Sequence, residues 1–523
     1  MYLFDKKVKT YKCQPLPEGD IQSKERKSSQ ENNMRKIIEA QLKLGQVDID
    51  KIKIDLRCRD EIPQLLIGLQ AIYRDKPLRE ELFHYLKSVI PGTINRRAGR
   101  PGMDLWKILV LGTLRLSCNW DYDKIHDCAN NHGKVREFLG HPKEEIDPVY
   151  YKLQTIKDNV SLLTPEVLDQ INQLVVVKGH RLSADNNPLK LKGRCDSFVV
   201  ETNVHYPTDI NLLWDAMRKI VVLTAKECNR LGISEWRQSG HILKKIKMRF
   251  NQARRSCRGK NKEQLRVSTH KAYLAVASEY IDRAKQTIDI LQSIGMGQIA
   301  TLMVIEHFIS HGQRQMDQIR RRVIDGETIA HVEKVFSIFE PHTEWISKGK
   351  AGVAQELGLK VCILEDQFGY ILHHHVMENQ TDNQVAVSMI AAAKKKFDAL
   401  ACCSFDKGFH RPKNHEELGE MLDQVILPRK GKRSAKVREI ETSESFIKEK
   451  NQHAAVESAI NALENHGLDR CPDHGIIGFK RYVALAVLAR NIQILGAALR
   501  KQSLKSLKRK KKVPDRDWFM SAA

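Results

Sequence analysis

The chain has 523 residues, more than one hydrophobic core ordinarily serves, so its length predicts two to four domains. A formal net charge of +23 and a sequence pI near 9.4 exceed what solubility requires and point to partners of dense negative charge, nucleic acid first and a membrane surface only second. No stretch approaches 18 uninterrupted apolar residues, and the eleven cysteines form no Cys-x-x-Cys pair, which argues against membrane spans, a disulfide framework and a thiolate zinc site alike.

Residues 1–60 are polar, lysine-rich and weakly periodic, and MYLFDKKVKTYKC lacks the apolar stretch of a signal peptide, so a soluble cytoplasmic protein is expected. Residues 61–190 read as helical. Within them GRPGMDLWKILVLGTLRLSCNWDYDKIHDCANNHG offers two short helices with Asp104 and Asp121 as N-caps. Beside Arg96, Arg97 and Arg100 they suit either a helix-turn-helix reader of double-stranded DNA or a plain helical domain without groove contact.

Residues 191–499 begin with GRCDSFVVETNVHYPTD, a β-branched and aromatic run that predicts a strand starting at Asp196. Helical periodicity then fills about 210–335, a helical insertion. Residues 218–262 carry 14 Lys or Arg against only Glu227 and Glu235. Solvated faces are usually mixed in sign, so Lys244, Lys245, Lys247, Arg249, Arg254 and Arg255 are candidate phosphate contacts.

Strands resume at EPHTEWISKGK and VCILEDQFGYILHHHVM, the second a hairpin about a Gly-containing loop. Trp345, among lysines, is a candidate for stacking on a displaced base, although a core role fits it equally. His373 and His375 share a face of their strand, for which a solvated strand is the simpler account than a metal pair, and Cys471 with His474 lacks the second ligand pair of a zinc site. QVAVSMIAAAKKKF (helix), ALACCSF (strand), RPKNHEELGEML (helix), QVILPRK (strand) and HAAVESAINALENHG (helix, ended by Gly467) complete a mixed α/β sheet covered on both faces. In the tail, 500–523, the stretch from Arg500 to Lys512 has eight basic residues and no acid, which predicts a flexible phosphate-binding arm.

Open α/β sheets place chemistry at strand ends, where Asp196 and Asp406 stand. On the last helix Val456, Ile460 and Leu463 define the packing face, and Glu457 or Glu464 points along its edge. Those two are seven residues apart, about 10.5 Å along a helix, too far for both to serve one metal pair. Three converging carboxylates repel one another unless cations join them, and Mg²⁺ favours a few carboxylates plus phosphate oxygens. In a basic protein this predicts phosphoryl transfer on nucleic acid assisted by two Mg²⁺ ions, with Mn²⁺ able to substitute.

At these residues the chain resembles the transposases of bacterial insertion sequences, which carry an Asp-Asp-Glu triad on a ribonuclease H-like fold. CDSFVVETNVHYPTD resembles their first-acid block, SFDKGFHRPKN the second, and HAAVESAINALENHGLDRC with GFKRYVALAVLARNIQILG the third; GRPGMDLWKILVLGTLRLS is similar to the helical domain preceding many such cores. The resemblance covers about residues 95–500. It implies a metal-binding catalytic triad of Asp196, Asp406 and Glu457, the last chosen through the HxxxE arrangement with His453. It further implies metal-dependent cleavage at the terminal repeats of the element, strand transfer into target DNA, and a bacterial, nucleoid-associated setting. Several relatives carry their insertion between the second and third acids, whereas here it separates the first and second.

Around the triad Lys407, His453, Arg470 and Lys480 are candidate phosphate contacts. The long basic insertion suits an assembly gripping two DNA ends, hence a homodimer with no membrane partner. Two alternatives stay open: a metal-dependent nuclease that cuts without joining, and a non-catalytic DNA-binding protein derived from a transposase.

Overall fold

The computed structural model describes residues 35–39, 41–90, 102–144, 148–183, 190–256, 262–294, 299–347, 355–432 and 434–512. Arg96, Arg97 and Arg100, three of the candidate DNA contacts, lie outside the described residues.

Among the described residues seven α-helices precede the sheet: α1 (Glu61–Arg74), α2 (Lys76–Ser88), α3 (Leu105–Ser117), α4 (Tyr122–Asn131), α5 (Gly133–Phe138), α6 (Leu153–Val160) and α7 (Pro165–Ser183). Asp121 caps α4 by accepting the Lys124 amide, as its position predicts, whereas Asp104 caps α3 through no side-chain bond and pairs instead with Lys107 at 2.7 Å. Every residue of α3 except Lys107 is buried. A helix enclosed on all sides cannot lie in a DNA groove. The free face of α4 carries Asp123 and Asp127 beside Lys124, so this pair presents no basic recognition helix.

The first strand, β1 (Leu191–Thr202), starts five residues before Asp196, because LKGRC continues the extended run and pairs with a later strand. The insertion follows as α8 (Asp209–Arg230), α9 (Ser239–Arg255), α10 (Lys262–Ile294) and α11 (Ile299–Ile319). Then come β2 (Glu344–Ser347), β3 (Gln355–Asp366), β4 (Ile371–Met377), α12 (Asp382–Lys396), β5 (Leu400–Phe405), α13 (Pro412–Met421), β6 (Gln424–Ile426), α14 (Ala435–Thr442), α15 (Glu444–His453), α16 (Ala455–Leu463), β7 (Arg470–Cys471) and α17 (Gly475–Lys512). The helix expected from His453 is α16, with His453 itself closing α15; a π turn over Glu464–Leu468 follows it, and helical geometry is lost at Gly467, whose φ of +104° suits glycine. The described part of the tail is also helical rather than irregular, since α17 runs on to Lys512.

The chain is α/β, with a mixed, open sheet of seven strands flanked by helices. The path is β2-β3-β1-β5-β6, with β4 also on β3 and β7 also on β1. β1, β3 and β4 form an antiparallel meander, and the predicted β3–β4 hairpin is closed by Asp366, whose carboxylate accepts the Phe368 and Tyr370 amides at 2.8 and 2.9 Å. β5 joins β1 in parallel at Leu191 to Cys195, β7 joins it in parallel at Glu201 and Thr202, and β6 runs parallel beyond β5.

Two large cores hold this together. One runs without a break from Ile49 through the N-terminal helices and the sheet to Leu495, so the helices before β1 and the sheet are packed as one body, with α1, α3 and α7 against α17. Ile49 and Ile52, in the polar N-terminal segment, are part of it. The other, from Leu212 to Ile338, belongs to the insertion alone and is centred on Leu213, Trp236, Tyr273 and Ile305. α17 is apolar and long enough to cross a membrane, but most of that apolar window is buried inside the protein, as in a core helix. The nine described cysteines are all free thiols, seven of them buried.

Candidate active site

The site grows from a split in the sheet. On one edge of β1 the partner is β5 as far as Cys195, which pairs with Phe405; from Glu201 onward the partner is β7. Between them, at 196–200, no described strand covers that edge. The Ser197 amide faces this opening and needs an acceptor where β5 has ended. Asp196 supplies it: its own Oδ1 accepts the Ser197 N–H at 2.8 Å, which holds the carboxylate at the mouth of the split.

Asp406 follows Phe405 directly, so the first two acids stand one residue past a paired position on neighbouring parallel strands. Asp406 is exposed, and a short 3-10 turn over Lys407–Phe409 carries the chain away from it. The third acid comes from α16, which packs on β1 through Val456 and Leu463 and leaves Glu457 exposed. Burial pushes the Asp196 carboxyl up to about 6, the Ser197 amide opposes the rise, and the negative charges of Asp406, Asp382 and Glu457 add to it. Asp406 and Glu457 therefore share an electrostatic field with Asp196 although they are far from it in sequence.

His453, the last residue of α15, sits on the same face. Its Nδ1 contacts Ser404 Oγ at 3.0 Å, on the residue that pairs with Arg194, while its Nε2 is buried with no partner among the described residues. Burial lowers its pKa, partly offset by Asp406 and Glu457 and reinforced by Arg194, so it is neutral near pH 7. Arg194 is held at 3.2 Å by Glu365, whose own carboxyl burial raises to about 7 despite that pairing.

Sequence reasoning missed Asp382 and Lys360. Asp382 accepts the Ser197 hydroxyl at 2.6 Å and pairs with Lys360 at 3.0 Å, so a fourth acid flanks Asp196 but is already neutralised by a lysine from β3. The signal was the capping box from Thr381 to Gln384, which marks Asp382 as the first residue of α12.

The other candidates are dispersed. Lys407 is exposed beside Asp406. Arg470 pairs with Glu201 at 2.7 Å and Lys480 with Glu378 at 2.6 Å. On α9, Lys244, Lys247, Arg254 and Arg255 are exposed, Lys245 is paired with Glu279, and Arg249 bonds Gln252. Trp345 is half-buried against Tyr206 and Phe336. His373 contacts Lys396 and is held neutral by burial, while His474 binds Glu340 at 2.7 Å and Cys471 is a buried thiol.

Among the described residues no three His, Cys, Asp or Glu side chains close into a ready-made metal cage. Asp196, Asp406 and Glu457 fit a hard divalent ion in a looser sense: they offer oxygen donors alone, and their mutual repulsion is what an added cation relieves. No family model, no curated protein and no solved structure matches the chain.

Proposed function

We propose that this protein is a DNA transposase whose catalytic triad is Asp196, Asp406 and Glu457, acting with two Mg²⁺ ions or Mn²⁺ in their place. The observation that carries the reading is the split in the sheet: two acids on adjacent parallel strands and a third from a helix packed on β1, with the charges of the second and third adding to the rise at Asp196. The order of the sheet and its flanking helices are compatible with a ribonuclease H-like fold, which supports the same reading.

The chain's own residues do the following. The Ser197 amide orients Asp196, and Lys360 keeps Asp382 engaged, so that Asp196, Asp406 and Glu457 are the acids left to hold cations. Lys407, beside Asp406, meets the phosphate of the strand to be cut, and His453 offers an unpaired Nε2 at the same face. When bound, divalent ions supply Lewis-acid stabilisation and lower the pKa of an attacking water or 3′-hydroxyl. Cleavage at the ends of the element and joining to target DNA then use one site, with no covalent protein intermediate. The exposed cations of α9 fix duplex DNA by its phosphates, and two copies gripping two ends make the working form a homodimer in the bacterial cytoplasm.

The test is Mg²⁺-dependent cleavage and joining on duplexes bearing the DNA that flanks the reading frame, comparing wild type with Asp196→Asn, Asp406→Asn and Glu457→Gln at equal DNA binding. Each substitution is expected to lower the rate at least ~10³-fold. An active Glu457→Gln variant removes that residue from the triad, and a wild type that binds the ends but never cuts defeats the enzymatic reading.

A further inference from the structure

The far end of β1 carries an aromatic surface that the triad does not use. Tyr206 packs edge-on against Trp345 with ring centroids 5.7 Å apart, Trp345 lies 5.6 Å from Phe336 at 35°, and Phe336 lies 5.2 Å from His331. These rings are not sealed in a core: Tyr206 is 59% exposed, and Trp345 and Phe336 are half-buried. Phe336 also lines a cavity of about 410 Å³ together with Phe339, Arg218 and Lys219, at the junction of the insertion and the sheet. That volume lies in the range of small-ligand sites.

The carboxylates and cations of the cavity are equal in number, and what distinguishes them is how they are held. Its two carboxylates are already engaged, Asp215 with His205 at 2.6 Å and Glu340 with His474 at 2.7 Å and the Gly475 amide at 2.9 Å. Arg218 and Lys219 lie over the Phe339 ring, with cation-to-centroid distances of 5.9 and 5.4 Å; Arg218 also stands 3.9 Å from Asp215, whereas Lys219 has no carboxylate partner among the described residues. A half-exposed row of rings leading into an aromatic cavity that holds a lysine without a carboxylate partner among the described residues matches the way proteins hold unpaired nucleic acid, bases on rings and phosphates on cations.

We infer that Tyr206, Trp345 and Phe336 with the adjoining cavity bind an unpaired DNA strand, one base stacking on the rings while the next nucleotide enters the cavity and its phosphate meets Arg218 and Lys219. The inference rests on the reading of the protein as one that acts on DNA. The place of the site is fixed by register: Trp345 pairs with Leu357, whose carbonyl accepts from the Thr202 hydroxyl, six residues along β1 from Asp196. At ~3.3 Å per residue that is about 20 Å, or about six base pairs of B-form DNA, so the strand it holds is melted flanking DNA rather than the reacting phosphate.

The experiment measures the affinity of the purified full-length chain for a fluorescein-labelled oligodeoxythymidine and for a duplex of the same length. Tyr206→Ala with Trp345→Ala is expected to weaken the single strand at least ~10-fold while leaving the duplex within about twofold. Lys219→Ala should weaken the single strand severalfold. Trp345→Phe, which keeps the ring and the fold, should retain affinity but lose the quenching of tryptophan fluorescence by the oligonucleotide. Asp196→Asn should bind it like wild type, so a protein that never cuts DNA leaves this test intact. An unchanged single-strand affinity in the double variant, or equal losses on single strand and duplex, overturns the inference.

Discussion

At the scale of single residues, Asp196 illustrates a carboxylate kept at a cost to stability. Its carboxyl is raised to about 6 by burial first and by neighbouring acids second, whereas an unfolded aspartate titrates near 3.9. The folded state therefore binds the proton more tightly: the protonated form favours folding below about pH 4, and that advantage is lost as pH rises to about 6. Asp196→Asn is accordingly expected to raise stability by roughly 1–2 kcal/mol at pH 8, after allowing for partial solvent access, and by little at pH 4, as thermal unfolding at the two pH values will read. In the same assay Mg²⁺ at ten times its Kd should add about 1.4 kcal/mol to the wild type and nothing to Asp196→Asn. A stabilising effect of Mg²⁺ that survives in the variant would place the ion elsewhere. The three acids were legible because each abuts a strand or helix with a strong apolar pattern. Asp382 and Lys360 were not, since their relevance depends on β3 lying beside β1 and on α12 starting at the rim of the sheet, a tertiary juxtaposition that no local period encodes.

At the scale of elements, hydrophobic period located nearly all the strands and helices, and the misplacements have physical causes. The apolar pattern starts β1 at Asp196 because Lys192 and Arg194 interrupt it upstream, yet both are tied down in the strand, Lys192 by Glu449 and Arg194 by Glu365. Of the two readings that the caps and spacing of α3 allow, a groove-binding pair and a plain helical domain, its burial on all sides favours the second. α9 is the element whose charge the sequence displayed most openly. Its exposed cations Lys244, Lys247, Arg254 and Arg255 should act as phosphate contacts. Replacing all four with alanine is expected to flatten the slope of log K against log salt for duplex DNA by up to ~3.6, at ~0.9 per lost contact; an unaltered slope would remove α9 from the interface. The insertion's separate core predicts that residues 208–340 expressed alone fold cooperatively, which circular dichroism with thermal unfolding can check.

At the scale of the whole molecule, the two ends of the chain share one core. α1 crosses α17 so closely that a methyl group on Gly68 would meet the Ile492 carbonyl, and one on Gly496 would meet the Gln64 carbonyl. Gly496→Ala is therefore expected to destabilise the main core by roughly 2–4 kcal/mol without touching the insertion, so that a scan resolves two transitions moving apart. Arg500 bonds the carbonyls of Leu56 and Arg57, and beyond it Lys501, Lys505, Lys508 and Arg509 of α17 are exposed. The sequence showed two composition regimes, a basic helical middle and an α/β remainder. It did not show that the remainder closes on itself across its full length, because such closure is a property of contacts between distant segments.

That closure sets a timetable. α1 is complete at Arg74, but the helix it must pack against begins only at Gly475, roughly 400 residues later. At ~5–20 residues per second of synthesis, Leu65, Leu66 and Leu69 wait roughly 20 to 80 s on the ribosome before their partner emerges. The insertion, with its own core, can fold during that wait. A chain that stops early thus releases an insertion able to close its own core beside a body whose first helices still lack their partner, so premature termination would leave Leu65, Leu66 and Leu69 uncovered.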